Sequence, residues 1–174
     1  MINRIRTFFD SIWLKLRHPS VTFCGWVSVP FSADIRIKGK GHIDFGRKVF
    51  LEKRVSISAI DGTVAVGDFT SINRNCIIVA HNSIKIGNNV AIGPNVCIYD
   101  HDHAWNKDGI INGKYKGAPI EIGNDCWIGA NAIILAGAMI DKCSIIGAGT
   151  IVKGEIPDYS IVYDHRNKHI KRLQ

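Results

Sequence analysis

Several things are missing from this chain of 174 residues, and each absence narrows what it can be. No apolar run approaches the roughly 18 residues needed to cross a bilayer as a helix, so no segment reads as a transmembrane span. The five cysteines, Cys24, Cys76, Cys97, Cys126 and Cys143, contain no CxxC pair and are odd in number. With no cleavable leader legible at the N-terminus, a reducing cytoplasm is the expected compartment. Acidic residues are scarce: 15 Asp and Glu face 22 Lys and Arg, a net charge of +7. That excess points to a polyanionic partner, which nucleic acid, acidic lipid, acidic glycan or a phosphate-rich cofactor would all satisfy. Also absent is the two-residue alternation, broken by turn clusters, that a β-sandwich requires. With 46% hydrophobic and 21% charged residues, the chain suits one globular core.

A period of six is present instead. Aliphatic residues recur at Ile122, Ile128, Ile134, Ile140, Ile146 and Val152, and upstream at Val66, Ile72, Ile78, Ile86, Ile92 and Ile98, more loosely at Phe45, Leu51 and Ile57. A small residue follows four positions later, at Cys126, Ala132, Ala138, Ser144 and Thr150. Neither a helix nor a plain strand repeats at six, whereas a parallel β-helix does. Each hexad is one short strand and its corner, three hexads close a triangular coil, and roughly five coils follow from roughly fifteen hexads. The aliphatic fills the interior, and glycine or asparagine accepts the positive φ of sharp corners. The register breaks three times: nine positions from Ile57 to Val66, eight from Ile78 to Ile86, and 24 from Ile98 to Ile122. The last break is an insertion of 18 residues, a length uncommon in a compact repeat without a function.

Residues 2–17 place Ile2, Ile5, Phe8, Phe9, Ile12, Trp13 and Leu16 at helical spacing, with Arg4, Arg6, Lys15 and Arg17 on other faces. This predicts an amphipathic helix packed on the main fold; peripheral contact with an anionic membrane is the other reading. The expected organisation is a helix and lead-in over 1–34, a β-helix over 35–157 with a protruding loop at 100–119, and a basic tail over 158–174.

The inserted loop opens with NVCIYDHDHAWN, Asn95–Asn106, which concentrates titratable groups. Acyl transfer from a thioester to a hydroxyl needs a base for the hydroxyl proton, donors for the tetrahedral oxyanion, and a channel aligning donor with acceptor. An imidazole with an unperturbed pKa near 6.5 can be that base at neutral pH. Asp100 or Asp102 can orient the ring, as adjacent carbonyls also can. Solvated loop residues and a zinc set made of His81, His101 and His103 are the competing readings. Zinc would need three converging ligands.

Tandem hexads IGPNVC, IGNDCW and IGANAI, followed by IIGAGTIVKGEIPDYSIV, resemble the left-handed β-helix acyltransferases of the hexapeptide-repeat superfamily, over about residues 35–172. The chain is most similar to the branch of maltose, galactoside and capsule-sugar O-acetyltransferases, in which a histidine opens a long loop leaving the helix. That resemblance places His103 as the base and Asn73, in TSINRNC, at a site asparagine serving acceptor or oxyanion. His101, Asp102 and Trp105 are the substrate-side candidates. It also implies a homotrimer, no nucleic-acid partner, no metal, and acetyl-CoA bound in a groove between subunits. Trp127, Ala130, Ala148, Lys153 and Lys168 are the cofactor candidates; Arg166, Lys171 and Arg172 add positive charge for its phosphates. Where the family has a GxPAK-like segment this chain has YDHRNK, Tyr163–Lys168, a departure at the adenine end. The γ-class carbonic anhydrases share the solenoid, but they space two zinc ligands as HxxxxH, against HxH here. The resemblance implies an O-acetyltransferase acting on a sugar or polysaccharide precursor. N-acylation of an amino or nucleotide-linked sugar and a non-catalytic scaffold are the alternatives.

Overall fold

A computed structural model of the chain describes residues 4–164, with the backbone alone for 4–9. The stack is a parallel β-helix with three faces. The first face runs in seven strands from Val21–Phe23 to Glu155–Ile156, and the second in seven from Val27–Ser28 to Ile161–Val162. The third has six, from Asp34–Lys38 to Ile151–Val152. Strands therefore form six complete coils and two sides of a seventh, more than the five that counting hexads suggests. The coils begin at Val21 and end at Val162, beyond both expected boundaries at 35 and 157. Early coils such as Val21-Thr22-Phe23 lack the IG spelling, so the pattern fades in sequence before it fades in space.

The period of six is the period of the core. Phe45, Val66, Ile86, Ile122 and Ile140 stack inside the first face; Leu51, Ile72, Ile92, Ile128 and Ile146 inside the second; Ile57, Ile78, Ile98, Ile134 and Val152 inside the third. All are buried. Each buried aliphatic side chain contributes roughly 1.5–3 kcal/mol. The small residues beside them, Cys126, Ala132, Ala138, Ser144 and Thr150, are buried too, because a coil corner leaves no room for a larger chain.

Corners alternate in kind. In every coil after the first, positive φ recurs between the first and second faces, at Lys48, Phe69, Asn89, Asp125, Cys143 and Tyr159. Between the second and third faces it recurs at Arg54, Asn75, Asn95, Asn131 and Gly149. Not all are glycine or asparagine: the backbone N–H of Phe69 donates to the Arg47 carbonyl at 2.8 Å, and that stacking holds a conformation its side chain disfavours. Glycine is obligatory elsewhere: a Cβ on Gly123 would lie 2.5 Å from the Lys142 nitrogen of the next coil. Asn75, Asn95 and Asn131 form a side-chain ladder at 3.0 and 3.2 Å. All three breaks in the hexad register fall at the remaining edge, where the third face turns into the first. That edge is the one free to vary, and the histidine candidates gather there.

Helix α1 (Arg4–Arg17) closes the open end of the first coil. Leu14 is buried, and Ser11 Oγ donates to the Val27 carbonyl at 3.1 Å and accepts from the Val27 nitrogen at 3.2 Å. The helix thus packs on the solenoid, satisfying edge groups that would otherwise face solvent. Among the described residues no helix is long and apolar enough to cross a membrane.

Candidate active site

The inserted segment is a β-hairpin, not an irregular loop. Outgoing strand His101–Asn106 pairs antiparallel with returning strand Gly109–Gly117, and Lys107–Asp108 make the turn. The register shifts between His103 and Trp105, where residues 111–114 of the returning strand bulge opposite Ala104, the one buried residue of the outgoing strand. At the base, the Ala118 nitrogen donates to the Asp100 carbonyl at 3.0 Å. A Cβ on Gly117 would lie 2.9 Å from that same oxygen, so the return strand needs glycine there.

Asp100 has no exposed surface and organises the edge. Its Oδ1 accepts from the His81 nitrogen at 2.8 Å and its Oδ2 from the Asn82 nitrogen at 2.7 Å, both from the preceding coil. Oδ1 also meets His101 Nδ1 at 3.0 Å. Asp61 Oδ1 accepts from the Lys40 nitrogen at 2.9 Å at the same edge, two coils earlier, so part of the Asp100 role is that of an ordinary corner cap. Its addition is the imidazole. A carboxylate at Nδ1 selects the Nδ1–H tautomer of His101 and leaves Nε2 as the acceptor. Asp100 and not Asp102 meets an imidazole, and that imidazole is His101, not the expected base His103: Asp102 is exposed and faces Lys116 across the hairpin.

The His101 side chain is only 12% exposed, and its ring centroid is 4.0 Å from that of His81. Burial first, then the nearby His101, holds the His81 pKa below the usual imidazole value. His103 is exposed and stands across the hairpin from Tyr115, ring centroids 5.1 Å apart. Among the described residues no group of His, Cys, Asp and Glu is arranged to hold a metal ion. Trp105 is 68% exposed toward the hairpin tip, opposite Ile110. Two positions escaped the sequence reading. Tyr115 carried no signal there, and His81 entered only as a zinc ligand; their proximity depends on stacking and on the hairpin register.

The other candidates lie elsewhere in the same chain. Asn73 sits between the second and third faces, with its Oδ1 accepting from the Arg74 nitrogen at 2.8 Å. Ala130 and Ala148 occupy the same edge further down, where the Gly149 nitrogen donates to the Ala130 carbonyl at 2.8 Å. Trp127 is 55% exposed on the second face, and Lys153 is exposed just after the last strand of the third. Lys168, with Arg166, Lys171 and Arg172, lies outside the described residues. A single chain therefore brings His81, His101 and His103 together and leaves Asn73, Ala130 and Ala148 on the far side of the third face. That separation is roughly 20 Å at about 3.3 Å of rise per residue.

The fold defines a class. Residues 119–154 match the family model described as bacterial transferase hexapeptide (six repeats). A probable acetyltransferase of Mycobacterium tuberculosis is 30% identical over 92% of this chain and 54% of its own length. The galactoside O-acetyltransferase of Escherichia coli is 36% identical over 64% of this chain and 55% of its own. The chain thus spans about half the length of the curated relatives it matches. Among solved structures, AntD, an N-acyltransferase from Bacillus cereus crystallised with dTDP and coenzyme A, superposes with a TM-score of 0.72. It is 19% identical and covers 87% of this chain and 82% of its own. Residues 119–154 thus carry the bacterial transferase hexapeptide repeat within a parallel β-helix, and the chain as a whole is similar to acetyltransferases.

Proposed function

We propose that the chain is an acetyltransferase that moves acetyl from acetyl-CoA to a hydroxyl of a sugar or surface-polysaccharide precursor, with His103 as general base. The observation that carries this reading is the hairpin placing His103, exposed, beside a buried carboxylate–imidazole pair at the edge of a rigid solenoid. Rigid support with an accessible base is what proton abstraction from a bound hydroxyl requires. His103 takes the acceptor proton as the oxygen attacks the thioester carbonyl. The tetrahedral adduct collapses, the carbon–sulfur bond breaks, and the imidazolium returns the proton to the leaving thiolate. The galactoside acetyltransferase supports the choice of oxygen and of a sugar acceptor; the coenzyme A bound to AntD supports the donor. The five cysteines and the thioester donor fit a cytoplasmic site of action.

The same reading includes a homotrimer with shared sites. From the third coil onward the outer surface of the third face is apolar: Ile77, Cys97, Ile133 and Ile151 form one column and Val79, Tyr99 and Leu135 the next, each preceded by polar residues in the first two coils. Ile77 is 37% and Ile151 56% exposed. Such a contiguous apolar surface favours covering by another protein surface. A second copy covering it would set the Asn73, Ala130 and Ala148 edge of one chain beside the histidine edge of another, completing what a single chain leaves apart.

Incubation with acetyl-CoA and a panel of sugars, nucleotide sugars and oligosaccharides, read by mass spectrometry and thiol release, tests the proposal. A base-labile acetyl ester with stoichiometric thiol is the expected result. An acid-stable amide would transfer the reading to an amine acceptor, and no thiol release with any acceptor would sink it in favour of a scaffold.

A further inference from the structure

Tyr115 stands where four elements of the site meet. It is the cross-strand partner of His103, and its ring lies 5.1 Å from that imidazole. On its other side the His81 ring is 4.0 Å away, and His101 meets it edge-on at 5.2 Å. Three imidazoles, one from the preceding coil and two from alternate positions of the outgoing strand, thus converge on one phenol ring. Two of the three are tied to the solenoid through Asp100, by the His81 backbone nitrogen and by His101 Nδ1. His103 has no such tie: among the described residues its ring meets Tyr115 and no hydrogen-bond partner.

We infer that Tyr115 is the positioning residue for His103: its ring, clamped by His81 and His101, transmits the fixed geometry of the Asp100 corner to the base. This rests on the assignment of His103 in the proposed function. A cross-strand aromatic pair is an effective way to hold a side chain on a two-stranded hairpin, which on its own is only marginally ordered. The ring does the holding, not the hydroxyl. Tyr115 is 42% exposed, so its replacement leaves the solenoid core intact.

The test compares Tyr115→Phe with Tyr115→Leu in the full chain, by steady-state kinetics and by the imidazole resonances of the histidines in NMR. Tyr115→Phe keeps the ring and is expected to retain kcat and the His103 resonances. Tyr115→Leu is expected to shift the His81 and His103 resonances together and to lower kcat roughly tenfold to a hundredfold, the scale of a misplaced catalytic group, with KM for acetyl-CoA within about threefold. Wild-type kcat in Tyr115→Leu overturns the inference. So does a Tyr115→Phe variant as slow as Tyr115→Leu, which would make the hydroxyl the active group. If the parent protein transfers no acetyl group, the functional reading fails, and the spectra still decide this one: His103 resonances unmoved in Tyr115→Leu overturn it.

Discussion

The carboxylate of Asp100 reaches His101 Nδ1 at 3.0 Å while both its oxygens also accept backbone N–H groups, from His81 and Asn82. Three donors converge on one buried side chain, and only a carboxylate presents acceptors at both ends. Asp100→Asn keeps the shape but turns one acceptor into a donor facing an N–H. It is expected to cost roughly 1–3 kcal/mol of stability and to loosen the hairpin, measured by denaturant unfolding and by amide exchange at His81 and Asn82. Unchanged exchange at both amides would show that the corner does not depend on the charge.

His103→Ala is expected to lower turnover by at least about a hundredfold, within the range for loss of a positioned base, with acetyl-CoA affinity within a few-fold. His101→Ala is expected to cost about tenfold or less, since the proposed mechanism has that ring orient and His103 abstract. Chelator should alter neither enzyme nor variants. If His101→Ala is the inactive variant, the base lies two positions earlier and the Asp100 pair becomes the catalytic one; if chelation abolishes activity, a metal enters the mechanism.

The depressed pKa of His81 gives the hairpin edge an acid sensitivity of known sign. Above about pH 6.5, the unperturbed value, folded and unfolded chains both hold this ring neutral and it adds no pH dependence. As pH falls below 6.5 the unfolded chain takes the proton first, so stability drops until the lower folded value is passed. The facing charges are His101 and His103, which oppose protonation, and Asp100 and Asp61, which favour it. His81→Gln should therefore flatten the fall in unfolding temperature as pH drops below about 6.5. An identical slope in parent and variant would refute the assignment.

Thiol reactivity should sort the cysteines by depth. Cys76 is buried, donates to the Gly93 carbonyl at 3.0 Å, and burial pushes its pKa up to about 11. Cys126 is likewise buried, with its pKa raised by burial, whereas Cys24 is exposed. Alkylation of the native protein at neutral pH should modify Cys24 first and leave Cys76 and Cys126 untouched until denaturant is added, as peptide mass mapping would record. Rapid native labelling of Cys76 would mean that its coil opens.

Light scattering at micromolar concentration should give about three times the 19.2 kDa chain mass. Ile151→Lys, on the apolar outer column of the third face, should shift the protein toward monomer and lower activity with it. A monomer that keeps full activity would separate catalysis from assembly and contradict shared sites.

Much of the fold was legible because a solenoid core is one-dimensional: each coil repeats the same packing problem, so residues such as Ile86, Ile92 and Ile98 declare their buried faces by spacing alone. The ends were less legible. Val21 and Val27 stack without the IG spelling, and their coil is recognised only by its hydrogen bonds to the next one. The pairing of Asp100 with His101, the contact of Tyr115 with His81, and the distance from Asn73 to the histidines followed no sequence period. They depend on which residues coil stacking and a bulged hairpin bring side by side. The sequence by itself determined the repeat, the buried columns and the place where the chain leaves the solenoid, since these are local consequences of residue size and polarity. Only the tertiary structure decided which carboxylate meets which imidazole and which ring meets His103, because those choices depend on the stagger between coils and on the hairpin register, where residues 111–114 of the returning strand oppose Ala104 alone.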